Sequence, residues 1–156
     1  MKEIPLTQGK VALVDDADFE WLSQWKWVAF ARSGIYYAQR QQWVNGRNAI
    51  IPMHRAILNN PDSEVDHRDR NGLNNQRANL RLCTRTQNNM NRTKPKHNKS
   101  GYKGVRVVNG YIRAEIGSNG KRHYLGNFPD LVTAAKAYDA KAKELHGEFA
   151  CLNFPD

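Results

Sequence analysis

Three polar side chains in the middle of this 156-residue sequence have the types that phosphodiester hydrolysis needs. Asp66 and His67 are adjacent, and Asn88 follows further along the chain. A carboxylate and an amide oxygen are hard ligands suited to one Mg²⁺ or Mn²⁺ ion. An imidazole, with a pKa of about 6.5, can take a proton from an attacking water at neutral pH. These residues predict metal ligands at Asp66 and Asn88 and a general base at His67.

The segments around these residues are predicted to form a strand, a loop, a second strand and a helix. The first strand ends at His67, the second covers residues 79–83, and the helix starts at Thr84. Thr84 and Gln87 have the spacing of a capping box, which supports that start. If the two strands fold back on each other, the end of the first strand faces the first turns of the helix, where Asn88 lies.

The run Asp66-His67, eleven residues, Asn79, eight residues, Asn88 resembles the ββα-metal active site of HNH endonucleases, in the variant whose last position is asparagine. Three stretches support the resemblance to phage and intron-associated homing endonucleases: Asn79-Leu80-Arg81, residues 87–91, and Met53-His54-Arg55. The resemblance implies metal ligation at Asp66 and Asn88 and general-base catalysis at His67. At Asn79 it implies an amide that braces the loop by hydrogen bonding across it.

Some of these residues could have a structural role in place of a catalytic one. The alternative for the Asp-His pair is an asparagine-rich loop with one hydrogen-bonded histidine. His54, beside Met53 and Ile57 on a short apolar segment, is predicted to be structural rather than catalytic. Asp69 and Asn74 either support the metal ligands from behind or cap loop amides.

The charge of the chain favours a polyanionic partner. Lys and Arg outnumber Asp and Glu by 24 to 15, which gives a net charge of +9. No acidic residue occurs between Asp69 and Glu115, so this stretch is predicted to meet a phosphate backbone with salt-sensitive affinity. Within it, Arg81, Arg85 and Arg92 are predicted to contact DNA. A solubilising basic face, or association with a membrane or a ribosome, has only the charge in its favour.

The region before the site predicts a β-rich support. Residues 10–14 form a predicted strand, the acidic cluster 15–18 is placed to cap a helical turn, and aromatic-rich strands follow with a hairpin turn at Asn45-Gly46. Core packing is favoured over base stacking for these aromatics, because they lie among branched aliphatic residues. Cys83 and Cys151 are expected to be buried thiols in a reducing compartment. With no apolar run of membrane length and no secretory h-region, a soluble cytoplasmic or nucleoid location is expected.

A second unit is predicted after a polar, basic linker at residues 93–101. Its strands cover 104–108, 111–116 and 122–128, joined by Asn-Gly turns that suit tight hairpins. A helix capped by Asp130 and ending near Gly147 carries an apolar stripe that covers one face of the sheet.

Residues 100–155 resemble the APETALA-two/ethylene-response-factor domain. The runs that carry the resemblance are Tyr102-Lys103-Gly104-Val105-Arg106, Ala114-Glu115-Ile116, Tyr124-Leu125-Gly126-Asn127-Phe128, Ala134-Ala135-Lys136-Ala137-Tyr138-Asp139 and Leu152-Asn153-Phe154-Pro155. The positions that it implies for DNA contact are Lys103, Arg106, Arg113, Glu115, Arg122 and Tyr124. Asn109 stands where the plant regulators carry tryptophan, so their recognition sequence does not transfer. Sheet packing and DNA contact are equally favoured for Tyr111, Tyr124 and Phe128.

The predicted fold class is therefore α+β. A nuclease domain over 1–92, with its ββα-metal core at about 60–92, precedes the linker and a three-stranded antiparallel sheet packed on one helix over 102–156. The predicted function is metal-dependent cleavage of double-stranded DNA by a homing-type endonuclease that its C-terminal module targets. The alternative is a non-enzymatic DNA-binding regulator whose nuclease half is a degenerate scaffold, and metal-dependent cleavage separates the two.

Overall fold

The computed structural model describes residues 1–44, 46–95 and 97–155. The chain divides into two compact units, residues 1–84 and 85–156. Strand is more abundant than helix, and the sheets formed by the described residues are small and antiparallel. The expected mixed class with short antiparallel sheets is thereby confirmed. The predicted limits of the nuclease domain, the linker and the C-terminal module stay predictions.

The described residues of the first unit form three small antiparallel sheets. Its elements are β1 (Lys2–Pro5), β2 (Val11–Val14), α1 (Asp16–Ser23), β3 (Val28–Arg32), β4 (Ile35–Val44), β5 (Arg47–Pro52), α2 (Met53–Ile57), β6 (Glu64–His67) and β7 (Leu80–Cys83). Strand β1 pairs with β2, β4 lies between β3 and β5, and β6 pairs with β7. The turn predicted at Asn45-Gly46 begins at Asn45, which lies outside the described residues, but β4 and β5 pair on either side of it.

Trp27 is the largest fully buried side chain of the first unit. Its indole Nε1 donates a hydrogen bond of 2.8 Å to the carbonyl oxygen of Leu22 at the end of α1. The expectation that the aromatics of this region pack in the core is right for Trp27 and wrong for Trp43, which is 73% exposed. Alternate residues of a strand point to opposite faces. Trp43 therefore lies on the face of β4 opposite to the buried Ala38.

The second unit contains the predicted three strands and long helix, preceded by a shorter helix. Its elements are α3 (Arg85–Met90), β8 (Val105–Val108), β9 (Tyr111–Ser118), β10 (Lys121–Phe128) and α4 (Leu131–His146). Strand β9 is the middle strand. Both hairpins turn on an Asn-Gly pair with positive φ at each residue, such as 50° at Asn109 and 80° at Gly110, as a type I′ turn requires. The Asp130 side chain accepts a hydrogen bond of 2.8 Å from the backbone N–H of Thr133, which confirms the predicted cap of α4.

Helix α4 covers one face of the β8–β9–β10 sheet with small side chains. Ala134 and Ala135 pack against Val105 and Ala114, and Tyr138 closes the layer towards Ile116. Small residues on the helix let its backbone approach the sheet closely.

Gly104, just before β8, packs against the ring of Tyr138 on α4. Its φ of 75° favours glycine, and a Cβ atom there would overlap the ring of Tyr138. We expect Gly104→Ala to lower the free energy of unfolding by about 3 kcal/mol, from the left-handed backbone and the overpacked core together. Chemical denaturation measures this loss. Gly117→Ala is the control, because its nearest neighbour is 3.8 Å away; equal stability of the two variants would contradict the expectation.

The two cysteines are buried, as predicted. Burial raises the pKa of the Cys83 thiol to about 11, so this sulfur stays protonated and inert at neutral pH. Within the part of the chain that the structure describes, none of the helices combines the length and the apolar character that crossing a membrane would take.

Candidate active site

The β6–β7 hairpin places Asp66 directly opposite Arg81. Nε and Nη2 of Arg81 donate to the same carboxylate oxygen, Oδ2 of Asp66, at 2.9 and 2.7 Å. Asp66 is 6% exposed and Arg81 is 7% exposed, so the pair is buried. The guanidinium therefore sets the orientation of the carboxylate predicted to bind metal. DNA contact by Arg81 stays a prediction, and its guanidinium is engaged by Asp66 in this structure.

His67, the last residue of β6, is oriented by a buried asparagine of the following loop. Its Nε2 lies 3.3 Å from Oδ1 of Asn75, and Nδ2 of Asn75 donates to the carbonyl oxygen of Leu73. The bond to Leu73 shows which side of the Asn75 amide is the donor, so the oxygen faces the histidine. The His67 ring then carries its proton on Nε2, and Nδ1 is the nitrogen with the basic lone pair.

The surroundings of His67 favour the neutral ring. Burial lowers the pKa of His67 below its usual value, although the hydrogen bond to Asn75 and the charges of Asp69 and Asp66 act in the opposite direction. A base must be unprotonated to accept a proton. At neutral pH the His67 imidazole is therefore in the form that general-base catalysis needs.

Asn79 joins the two ends of the loop between β6 and β7. Its Oδ1 accepts from the backbone N–H of Asp69 at 3.0 Å, and its Nδ2 donates to Oδ1 of Asp69 at 2.9 Å and to the carbonyl oxygen of Asn74 at 2.8 Å. Asp69 also accepts from the backbone N–H of Asn71 and from the side chain of Asn74. Asp69 and Asn74 thus bond to groups of the loop. Of the two predicted roles for these residues, this is the capping of loop amides.

The loop is also attached to the preceding scaffold. Leu13 of β2 exchanges backbone hydrogen bonds with Leu73 and Asn75 at 2.8 and 2.7 Å. Arg77 donates to both carboxylate oxygens of Asp18 at 2.8 Å. Asp15 stands at the N-cap position of α1, yet its carboxylate accepts from the backbone of Arg77 and makes no cap bond. The helical turn predicted at the acidic cluster 15–18 is present, but the side chain at its N-cap position bonds to the loop and not to the helix.

Tyr37 and His54 complete the surroundings of His67, and sequence reasoning gave them no catalytic part. The ring centroids of His54 and His67 are 5.0 Å apart, and that of Tyr37 lies 5.8 Å from His67. Nδ1 of His54 is buried and has no hydrogen-bond partner among the described residues. The run Met53-His54-Arg55 was a signal for His54, whereas Tyr37 is one of many strand aromatics and carried none.

Burial, the neighbouring His67 and Arg55 lower the pKa of His54 to about 3. The unfolded chain then binds more protons than the folded one below a pH of about 6.5, so stability is lost as the pH falls through this range. We expect His54 to account for about 2 kcal/mol of the stability lost between pH 7 and pH 5. Denaturation at both pH values should show a shallower loss for His54→Gln. Equal losses in the two proteins would contradict the assignment.

The predicted metal site has only two protein ligands. Asp66 lies on β6, and Asn88 lies half-buried on α3 of the second unit. In the described parts of the chain, no three His, Cys, Asp or Glu side chains are grouped to hold a metal. One carboxylate and one amide do not make a closed zinc site. They fit Mg²⁺ or Mn²⁺, which keep several waters and add substrate phosphate oxygens. The ββα arrangement around a metal stays a prediction.

The second unit presents a basic sheet face opposite α4. The β-register places five of the residues implied in DNA contact on this face: Arg106, Arg113, Glu115, Arg122 and Tyr124. Arg113 lies over the ring of Tyr124, with 5.2 Å from Cζ to the centroid. Glu115 pairs with Arg106 and, at 3.6 Å, with Arg122. Three arginines against one glutamate leave the face positively charged.

Lys103, the sixth residue implied in DNA contact, has its ammonium group engaged within the second unit. Nζ donates to the carbonyl oxygens of Met90 and Arg92, each at 2.6 Å. Arg85 and Arg92 are exposed on and after α3. DNA contact by these three residues stays a prediction.

One family model and several known proteins are similar to parts of this chain. A family model described as HNH endonuclease matches residues 60–90. An uncharacterized HNH endonuclease of Acanthamoeba polyphaga mimivirus is 35% identical over 144 residues, 86% of this chain and 74% of that protein. Protein 3.8 of Escherichia phage T7 is 36% identical over 88 residues, 55% of this chain and 72% of that protein. Dehydration-responsive element-binding protein 2A of Arabidopsis thaliana is 42% identical over 64 residues, 39% of this chain and 19% of the plant protein.

Proposed function

This chain belongs to the HNH endonuclease family, and we propose that it cuts double-stranded DNA with the help of a divalent metal ion. Nucleases of this family generally use such an ion. The observation that carries the proposal is the buried His67, whose Nε2 lies 3.3 Å from Oδ1 of Asn75. Asp66 and Asn88 are the proposed ligands of one Mg²⁺ or Mn²⁺ ion.

In the proposed reaction, Nδ1 of His67 removes a proton from the attacking water. Asn75 keeps the other ring nitrogen protonated and so holds the basic nitrogen in place. Arg81 orients the Asp66 carboxylate, and Asn79 braces the loop between β6 and β7 by hydrogen bonding across it. When bound, the metal supplies charge stabilisation for the leaving oxygen and for the negative charge that develops around phosphorus.

We propose further that the second unit is an APETALA-two-like module that brings the nuclease to DNA, as in a homing-type enzyme. The basic face formed by Arg106, Arg113 and Arg122 supports this role, because a strand ribbon of that kind fits a DNA groove. The similarity to a plant protein named for binding a DNA element supports it as well. Arg85 and Arg92 are proposed as additional phosphate contacts.

A second candidate is a DNA-binding regulator without nuclease activity. The observation in its favour is the Arg81–Asp66 pair, because Arg81 occupies an oxygen of the proposed metal ligand. Cleavage of supercoiled plasmid with Mg²⁺ or Mn²⁺, compared with an EDTA sample, decides between the two. Relaxed or linear product that disappears with EDTA supports the nuclease. Binding without any product favours the regulator.

The DNA-binding face is tested separately by the salt dependence of affinity in EDTA. Each phosphate contact removed lowers the slope of log affinity against log salt by about 0.9. Arg122→Met removes a 67% exposed side chain of the basic face and should lower the slope by about this amount. Lys136→Met removes the same charge from the exposed side of α4 and should leave the slope near that of the wild type.

A further inference from the structure

Lys103 closes the C-terminal end of helix α3. Its ammonium group donates to the carbonyl oxygen of Met90, the last residue of the helix, and to that of Arg92, both at 2.6 Å. The last carbonyls of a helix lack partners within it and carry partial negative charge. A lysine ammonium is therefore well suited to hold this end.

The backbone of Lys103 is itself held rigidly. Its N–H donates to Oδ1 of Asn153 at 2.6 Å, and Nδ2 of Asn153 donates to its carbonyl oxygen at 3.1 Å. The backbone N–H groups of Asn153 and Phe154 both donate to the carboxylate of Asp139 at 2.8 Å. Asp139 is 7% exposed and lies on α4. The main helix and the C-terminal segment thus determine where Lys103 stands.

Helix α3 needs such support because it has only six residues, and helices of this length are not stable alone. Its end is continued by long hydrogen bonds of 3.3 Å from Asn91 to Gln87 and from Arg92 to Asn89. Asn88 lies within this last turn. The direction of the Asn88 amide therefore depends on what holds the end of the helix.

We propose that Lys103 is a positioning residue, which fixes the last turn of α3 and through it the metal ligand Asn88. The inference rests on the proposed function, in which Asn88 binds the metal. It also assigns the ammonium group of Lys103 to the protein instead of to DNA.

The first test needs no activity. Hydrogen exchange of the Asn91 and Arg92 amides is followed by NMR in the metal-free, full-length protein. Lys103→Met should speed their exchange about tenfold, because the end of α3 opens more often. Lys103→Arg, which keeps donors for both carbonyls, should restore slow exchange. Lys136→Met, with the same loss of charge elsewhere in the unit, should match the wild type.

The second test is a Mn²⁺ titration of plasmid cleavage by the same variants. Loss of a group that orients a metal ligand weakens metal binding by about tenfold or more. The Mn²⁺ concentration for half-maximal cleavage should rise by that factor in Lys103→Met and return in Lys103→Arg. The DNA affinity measured in EDTA should change no more than in Lys136→Met.

Unchanged exchange and unchanged Mn²⁺ dependence in Lys103→Met would overturn the inference, and so would a loss of DNA affinity alone. If Lys103→Met does not fold, Lys103→Gln, whose amide can reach one carbonyl, should give intermediate exchange rates; wild-type rates in that variant would also overturn it. A wild-type protein that cuts no DNA with either metal would defeat the proposed function. The hydrogen-exchange rates of the Lys103 variants would still show whether Lys103 holds the end of α3.

Discussion

His67→Ala is expected to lose about 10³-fold in the rate of metal-dependent DNA cleavage, since general-base catalysis contributes about 10²–10⁴-fold. The structure supports a direct role because the ring is neutral, buried and oriented through Nε2. Single-turnover cleavage of plasmid with saturating protein measures the chemical step. DNA affinity in EDTA should stay close to that of the wild type, because no DNA contact is proposed for this side chain.

The pH profile provides the control for this role. The lowered pKa of His67 means that the wild-type cleavage rate should fall only when the pH drops below about 6.5. Asn75→Asp places an anion against Nε2–H, which raises the pKa of His67 and moves the fall in rate to higher pH. A profile that is the same in both proteins, or a His67→Ala variant that cuts at the wild-type rate, would rule out His67 as the base.

Arg81→Met is expected to lower the free energy of unfolding by about 3–5 kcal/mol, because it leaves the Asp66 carboxylate buried without its ion-pair partner. Both side chains are buried, so water cannot replace the lost hydrogen bonds at low cost. The double variant Asp66→Asn with Arg81→Met removes the stranded charge and should recover most of the loss. Denaturant titration of the wild type, the single variants and the double variant measures these differences.

Arg85→Met is the matched control, because Arg85 is an exposed arginine and its loss should change stability by less than about 0.5 kcal/mol. The salt dependence of DNA binding by Arg81→Met tests the predicted DNA contact: an unchanged slope would show that Arg81 serves Asp66 and not DNA. A stable Arg81→Met protein with a reduced salt slope would show that Arg81 contacts DNA and that the pair with Asp66 contributes little.

The secondary structure around the site was predictable from local signals. The strand ending at His67 and the strand that closes at Cys83 are both present, and the predicted helix at Thr84 begins one residue later. In the second unit, the two Asn-Gly turns and the Asp130 cap specify backbone geometry that few other residues accept. Such signals act within a few residues, so tertiary packing did not override them.

The partners of the site residues were not predictable in the same way. Nothing local indicates that Arg81 faces Asp66, since this follows from the register of two strands that a loop separates. The packing of Tyr37 against His67 depends on the β3–β4–β5 sheet, and the bond from Lys103 to Met90 depends on the fold of the C-terminal unit. Contacts between residues far apart in the chain have no periodicity that a single sequence displays.

By itself, the sequence determined the chemistry that this protein can offer: a carboxylate, an imidazole and amides at a spacing typical of HNH endonucleases, with a basic stretch beside them. Residue types and spacing suffice for this, because they decide which protons and ligands are available. Only the tertiary structure decided the state of those groups. Burial favours the neutral form of His67, Asn75 orients its ring, and Arg81 directs Asp66, because pKa and orientation depend on neighbours that folding brings together.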